Sequence, residues 1–520
     1  MVTISASRGA TYNMAFLSIS MAELFFDTRI KPMVALPFMW AVVILGYGYA
    51  AIARQTLIHD PQYSWYQALC QTALFETQKR QRQSPSPVSR RQMTIFFLVL
   101  GGVTHWQFLP EFVFPFLQSL FILCLIAPQN KTLNFIGGGL GGMGLLNFSL
   151  DWSNISAFGK AGSLFSTPWW TQLIVYLGFV ANCWIMLPLA KWGGIGGWSK
   201  HLMSNRLYTV NGTSYPVDQI ITSQSLNETA YAELCLLYMS TQLRWGMFFD
   251  FASYSSAMVW MAIFGYPAIK SAWLKFKDRS SNGRRKPVSE QYPDQLNVLM
   301  RNYKEVPLSW FMGLIRSAFL IIMTVVAKTD LYIPWWTVLV AMGTGAVVVV
   351  PLSWLYSMSN FQLLLYGLMV NSVNGYKHPI MLQDQKIGHY IIVRWVLKSK
   401  FDYISGKLVD PAQQWTGQSL RSALTVGSQY VLLGPIRLFK GDLYKVIPYG
   451  FLLGAVTPVI LYTLHRFFPR AKFNLWNSTI FYCTLSTWWG NMTSGPTSSI
   501  IGGFVVMYWA YRKHYELWAR

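Results

Sequence analysis

An all-α fold is predicted: a polytopic transmembrane helical bundle with one re-entrant or discontinuous Gly-rich segment. Three observations predict it. Hydrophobic residues make up 53% of the 520 residues and charged residues 12%, where soluble domains carry about 25% charge. Apolar runs recur along the chain, at 33–53, 92–128, 167–190, 246–269, 306–327, 335–356, 446–465 and 496–509. Many reach the roughly 20 residues that cross hydrocarbon about 30 Å thick. They are too long, and alternate too weakly, for barrel strands. Third, residues 134–150 are uncharged, dense in Gly and as long as a span, and they run into Asp151-Trp152. Gly weakens a helix and lets backbones approach closely.

Taken in order, residues 1–32 form an N-terminal segment. Its apolar stretch 12–26 is short, and Glu23 and Asp27 crowd its end, so it is no clean signal peptide. Residues 33–520 form a single integral membrane domain. The loop 76–92 holds Lys79, Arg80, Arg82, Arg90 and Arg91 against one acid, with Ser84-Pro85-Ser86-Pro87 keeping it irregular. The loop 270–291 holds Lys270, Lys275, Lys277, Arg279, Arg284, Arg285 and Lys286. Both are expected in the cytoplasm, because Lys and Arg are retained there. The net charge of +22 therefore points to a lipid bilayer as partner and not to nucleic acid. The polar stretch 191–245 has four Lys/Arg and two sequons, Asn211-Gly212-Thr213 and Asn227-Glu228-Thr229. It is expected outside or in the lumen.

Between the first basic loop and this outer stretch the chain must cross an odd number of times. Four apolar candidates lie there: 93–108, 112–128, 134–150 and 167–190. One must be re-entrant or incomplete. The Gly-rich segment is the choice, with the short 93–108 run as its rival. Irregular backbone at membrane depth survives only where protein or a wet cavity covers it. Tryptophan pairs at Trp169-Trp170, Trp335-Trp336 and Trp488-Trp489 sit near span ends, as an interfacial belt requires.

An ionisable side chain at mid-membrane costs roughly 3 kcal/mol or more, so each needs a reason. His105 and Glu111, flanking Pro110, and His389 are candidates for carrying a proton. Gly137, Gly138, Gly139, Gly141, Gly142, Asp151, Trp152, Asn371 and Asn374 are candidates for a polar pathway through the bundle. The plainer readings are a helix boundary at Pro110, an N-cap at Asp151 and an interhelical salt bridge for Arg316. Gly137, Gly139 and Gly142 also match the spacing of a dinucleotide fingerprint. No βαβ unit or following acid surrounds them, so the match is chance. The sequence shows no P-loop. The five cysteines, Cys70, Cys124, Cys183, Cys235 and Cys483, form no CxxC pair, so no metal, cofactor or redox site is expected.

Several blocks together resemble the oligopeptide transporter family. Leu45-Gly46-Tyr47-Gly48-Tyr49 is similar to its Gly-Tyr-Gly span, and residues 136–153 to its Gly-rich stretch ending in Leu-Asp-Trp-Ser. Residues 294–307, followed by Trp310, resemble its cytoplasmic lead-in. Ile387-Gly388-His389-Tyr390 resembles its Leu-Gly-His-Tyr, and Leu433-Gly434-Pro435-Ile436-Arg437 its Gly-Pro-Lys/Arg turn. The blocks cover most of 40–520 in the family's order. Early spans with an Asn-Pro-Gly motif are absent before Met33. Residues 375–382 look shortened, and a Lys-Ile-Pro-Pro-Arg-like continuation is missing after Tyr390.

The resemblance implies a plasma-membrane or endomembrane symporter that moves short peptides with protons, with glutathione or peptide-like metal chelates in its range. Two alternatives stay open: a shortened, non-transporting remnant, and a membrane-embedded acyltransferase-like enzyme using His105 or His389. No His shows a polar partner at its own depth, so an enzyme is not expected. The peptide, the stoichiometry and the oligomeric state are not legible.

Overall fold

The computed structural model describes residues 31–53, 60–83, 86–139, 141–156, 164–194, 201–204, 206–216, 237–267, 306–328, 335–361, 444–487 and 493–514, with isolated positions between them. Asn371, Asn374, His389, most of 270–291, Asn227 and the blocks at 387–390 and 433–437 lie outside the described residues.

The architecture is all-α, as expected. The elements are α1 (Pro32–Ala53), α2 (Tyr66–Gln83), α3 (Pro87–Phe108), β1 (Leu120–Phe121), α4 (Ile122–Ile126), α5 (Lys131–Gly137), β2 (Asn147–Phe148), α6 (Trp152–Ser156), α7 (Trp169–Phe179) and α8 (Leu187–Gly193). They continue with β3 (Leu207–Tyr208), β4 (Ile221–Thr222), β5 (Ser225–Leu226), β6 (Tyr238–Met239), α9 (Thr241–Phe264), α10 (Leu308–Lys328), α11 (Trp335–Ser359), α12 (Tyr449–Phe467), α13 (Ser478–Thr487) and α14 (Pro496–Gly503). Among the described residues, six helices are long and apolar enough to cross a membrane: Pro87–Val113, Trp169–Gly193, Thr241–Phe264, Leu308–Lys328, Val338–Ser359 and Tyr449–Phe467. Among the described residues, strands occur only as two-residue antiparallel pairs.

The basic loop is more ordered than its Pro-Ser composition suggested. α2 carries Lys79, Arg80 and Arg82, α3 carries Arg90 and Arg91, and Ser86 caps α3. Its hydroxyl accepts from Ser89 N at 3.1 Å, with Pro87 in the first turn. Pro fits there because its missing N–H would have had no partner.

α1, α10 and α11 share one core of Ala35, Phe38, Val42, Leu45, Ala318, Ile322 and Val338. The Gly-Tyr-Gly block has a packing role in it. A Cβ on Gly48 would collide with Ile315 of α10, and Tyr49 OH donates to Met342 O of α11 at 2.8 Å.

A second core surrounds α9. α12 lays Gly450, Gly454 and Pro458, all buried, against it with a four-residue period. A Cβ on Gly454 would land on Ala252 O. Such a seam of small residues is how helices associate where lipid removes the hydrophobic drive. α13 covers another part of α9 through Ser256, whose hydroxyl lies 2.8 Å from Ser478 Oγ and 3.1 Å from Thr479 Oγ1. The stretch between α8 and α9 folds onto this core with Leu207, Tyr215, Ile220, Leu237 and Met239. By contrast α3 shows Ile95, Phe97, Leu98 and Val99 outward. In water such a face is an interaction site or a liability; in lipid it is the ordinary surface. Arg316 is exposed on α10, and among the described residues it makes no ion pair. The expected interhelical salt bridge is therefore not formed there.

Candidate functional site at the broken segments

The Gly-rich segment is discontinuous. α5 ends at Gly137, and the chain beyond it is irregular as far as Asp151, apart from β2. It folds back on the end of its own helix. Met143 N donates to Phe135 O at 2.8 Å, Leu145 N to Ile136 O at 3.0 Å and Gly144 N to Gly138 O at 3.1 Å. The orphan carbonyls of a helix end are thereby satisfied. Gly142 must be Gly: a Cβ would stand 2.5 Å from both Gly138 O and Phe135 O. Gly144 has φ +68, and its Cβ would meet Thr493 Oγ1 at 2.5 Å. Gly137 packs against Leu123 of α4, Gly139 faces Asn147 and Ser119, and Gly141 sits exposed at the bend.

The preceding run is broken as well. Pro110 has no N–H, so α3 cannot continue its regular ladder. It passes into a π-helical turn, Leu109–Val113, in which Phe114 N reaches back to Leu109 O at 2.7 Å. A 3-10 turn, β1 and the short α4 follow. This run pairs antiparallel with the Gly-rich one. Leu120 stands opposite Phe148 and Phe121 opposite Asn147, and Leu150 N donates to Leu117 O at 2.9 Å. Neither 112–128 nor 134–150 is a continuous helix.

The helix Trp169–Gly193 is a ruler for depth. At its far end the Lys191 ammonium lies 3.3 Å from the centroid of the Phe135 ring. Nearer its middle, Trp184 Nε1 donates to Met143 O at 3.1 Å. At its start, Gln172 Nε2 donates to the carbonyls of Leu164 and Thr167, each at 2.9 Å. The described parts of the chain between Phe135 and Thr167 thus meet this helix at its far end, near its middle and at its start, in the order opposite to its own sequence. The Gly-rich segment is broken, and α3 continues through the π turn into 112–128.

At the open end of this pair of broken runs a polar knot centres on buried Asp151, with Glu111 exposed at its edge. Asp151 is 2% exposed. Its Oδ1 accepts from Gln107 Nε2 and from Ser153 N, each at 2.7 Å, and its Oδ2 from Asn154 Nδ2 at 3.0 Å. The same Gln107 amide donates to Glu111 Oε1 at 3.1 Å. One NH₂ group therefore bridges two carboxylates, while the buried Gln107 Oε1 has no partner. Ser149 donates its N–H to Ser498 Oγ at 2.9 Å, and Ser499 Oγ donates to Ile155 O at 2.5 Å. The knot is thus tied to α14. Thr493, just before α14, donates its N–H to Gly139 O at 2.8 Å. Its hydroxyl lies 3.3 Å from the carbonyls of Gly138, Gly139 and Gly142.

The sequence candidates thus divide. Asp151 and Glu111 come together through Gln107. Asp151 also serves as the cap of α6, with Ile155 N donating to Asp151 O at 3.0 Å. Trp152 lies beside the knot and stacks on Phe165. His105 stands apart. It is exposed, and its Nδ1 donates to Gly101 O of its own helix at 2.7 Å. Two residues along a helix from Gln107, it faces away from the knot. Missed from the sequence were Gln107, Ser149, Thr493, Ser498 and Ser499, all uncharged. Asp250 was missed too, although a carboxylate inside the run 246–269 was visible. It accepts from Tyr254 OH at 2.5 Å, one turn along α9.

A family model described as the OPT oligopeptide transporter protein matches residues 1–382 and 389–520. The chain belongs to the oligopeptide transporter family. Oligopeptide transporter 3 of Arabidopsis thaliana is 26% identical over 579 aligned positions, spanning 100% of this chain and 76% of the relative. Oligopeptide transporters 8 and 7 of the same plant are each 25% identical over 100% of this chain, and over 76% and 72% of their own lengths. An alignment of 579 positions exceeds the 520-residue chain, so the first relative carries internal stretches that this family member lacks. No solved structure matches. The family match places the knot, the Gly-rich break and the apolar helices in an integral membrane protein.

Proposed function

We propose that this protein is a proton-coupled symporter of short peptides, with glutathione and peptide-like metal chelates within its substrate class and the plasma membrane as its site. Family membership and the names of its relatives support peptide transport. One structural observation carries the coupling: two carboxylates, Asp151 and Glu111, share one amide among broken segments of an apolar bundle. Ionisable side chains inside an apolar bundle are costly and mark ion pathways and proton relays, and this pair is the candidate here. Gln107, Ser498 and Ser499 link these carboxylates to the seat of the Gly-rich segment on α14. A peptide brings two charged ends and several amides, which the interrupted backbone and the polar side chains are suited to meet.

Uptake of a labelled tetrapeptide by proteoliposomes, with and without an inward proton gradient, tests the proposal. Uptake that rises with the gradient and collapses with a protonophore is expected. Uptake indifferent to the gradient would remove the coupling; no uptake of any short peptide would remove the substrate class. A second reading, a non-transporting remnant, draws on the interruption of the family match between 382 and 389. Sequencing the transcript across that interval separates the two. A transcript that carries the missing block would end the remnant reading.

A further inference from the structure

The chain holds seven Asn-X-Ser/Thr triplets, beginning at Asn130, Asn147, Asn154, Asn211, Asn227, Asn477 and Asn491. The fold accommodates the bulky glycan on such a triplet where its Asn stands at the surface with its amide uncommitted. The structure describes five of these Asn residues and separates them sharply. Asn147 is 1% exposed, and its amide donates to Ser119 Oγ at 3.0 Å. Asn477 is 5% exposed and accepts from Thr479 N. Asn154 is half-buried and committed to Asp151. Asn130 is exposed, but its side chain caps α5 by accepting from Thr132 N and Leu133 N.

Asn211 differs from all four. It is exposed at the apex of a hairpin that continues β3. Thr209 N donates to Thr213 O at 2.9 Å and Gly212 N to Thr209 O at 3.0 Å. Gly212 has φ +85, the left-handed step that closes a three-residue hairpin. The base is fixed by Tyr215 N donating to Leu207 O at 2.9 Å, and by His201, which stacks on Tyr208 and bonds Gly212 O at 2.9 Å. Among the described residues the Asn211 carboxamide makes no hydrogen bond. Thr213 is exposed beside it. The hairpin lies in the stretch that charge distribution assigns to the outer or luminal side.

We infer that Asn211 is an N-glycosylation site of this protein. The donor is an oligosaccharide carried on a polyprenyl diphosphate. The amide nitrogen of Asn211 bonds to C1 of the first sugar as the C1–O bond to the diphosphate breaks. The diphosphate leaves with the electron pair, and one amide proton passes to a base of the transferase. The glycan would then project from the hairpin tip, clear of the buried face that packs on the bundle.

The test is electrophoretic mobility of the full chain from a eukaryotic membrane, before and after an N-glycosidase. Wild type, Asn211→Gln, Thr213→Ala, Thr213→Ser and Asn130→Gln are compared. A glycosidase-sensitive step should be present in wild type, Thr213→Ser and Asn130→Gln. It should be lost, or reduced by one glycan, in Asn211→Gln and Thr213→Ala. Thr213→Ser keeps the acceptor hydroxyl and controls for misfolding. A wild type without any step, or a step unchanged in Asn211→Gln, overturns the assignment.

Discussion

Replacing Asp151 separates the structural role of its side chain from the coupling role proposed for it. As a cap and network centre it accepts three hydrogen bonds while 2% exposed. Asp151→Ala would leave Ser153 N and the Asn154 amide without their acceptor, and the Gln107 amide with Glu111 alone. Each buried donor left unpaired costs about 1–3 kcal/mol. Asn154 is half-buried and Ser153 exposed, so both can turn to water, and the expected total is about 1–3 kcal/mol. Asp151→Asn is different. Asn caps a helix about as well as Asp, and its oxygen still serves Gln107 and Ser153. Its NH₂ would face that of Asn154, which can flip to present its own oxygen, for a net cost of about 1 kcal/mol. Melting of the detergent-solubilised protein, followed by size-exclusion fluorescence, should rank wild type just above Asp151→Asn and both above Asp151→Ala. In proteoliposomes Asp151→Asn should fold yet lose the dependence of uptake on the proton gradient. If Asp151→Ala melts with wild type, the three bonds do not hold the segment. If Asp151→Asn keeps gradient-driven uptake, Asp151 is a cap and no more.

The neighbouring contacts give further expectations. Thr493→Val removes the one hydroxyl facing three Gly carbonyls and should cost about 1 kcal/mol, read as a lower melting midpoint with unchanged expression. Gly144→Ala forces a side chain into a left-handed conformation at roughly 1–3 kcal/mol and into Thr493 as well, so it should melt lower than Thr493→Val. Gly454→Leu drives a side chain onto Ala252 O and should destabilise the α9–α12 seam by about 1–3 kcal/mol or more; an unchanged melting midpoint would contradict the close approach. Single cysteines placed along the Gly-rich segment should react with a water-soluble maleimide at exposed Gly141 and resist it at buried Met143 and Ser149. Protection at all three would show that this face meets no wet cavity.

The fold was legible because lipid imposes a simple rule: backbone groups must be satisfied within the segment, and spans must be long and apolar. The runs at 246–269, 306–327, 335–356 and 446–465 became α9, α10, α11 and α12 with shifts of a few residues. Less legible was how the runs between 92 and 150 join. Pro110 marks a boundary in sequence, but nothing there says whether the chain turns back or continues. The π turn, in which Phe114 reaches Leu109, lets it continue. Hydropathy counts apolar residues and is blind to such a joint.

The knot was half legible for a related reason. Charge is the costly item in lipid, and a search for ionisable residues found Glu111 and Asp151. It could not find what joins them. Gln107 sits one turn before Glu111 on the same helix face and forty-four residues before Asp151, and nothing in sequence spacing announces that second contact. Buried amides and hydroxyls must be paired as charges must, so in an apolar run they mark where segments meet. Gln107, Asn147, Gln172 and Asn182 each bond to a different segment of chain or to a turn beyond their own helix. The uncharged polar residues therefore record which segments meet. His105 shows the converse. It is ionisable and lies in an apolar run, yet its Nδ1 is spent on its own helix, so charge alone did not place it in the site.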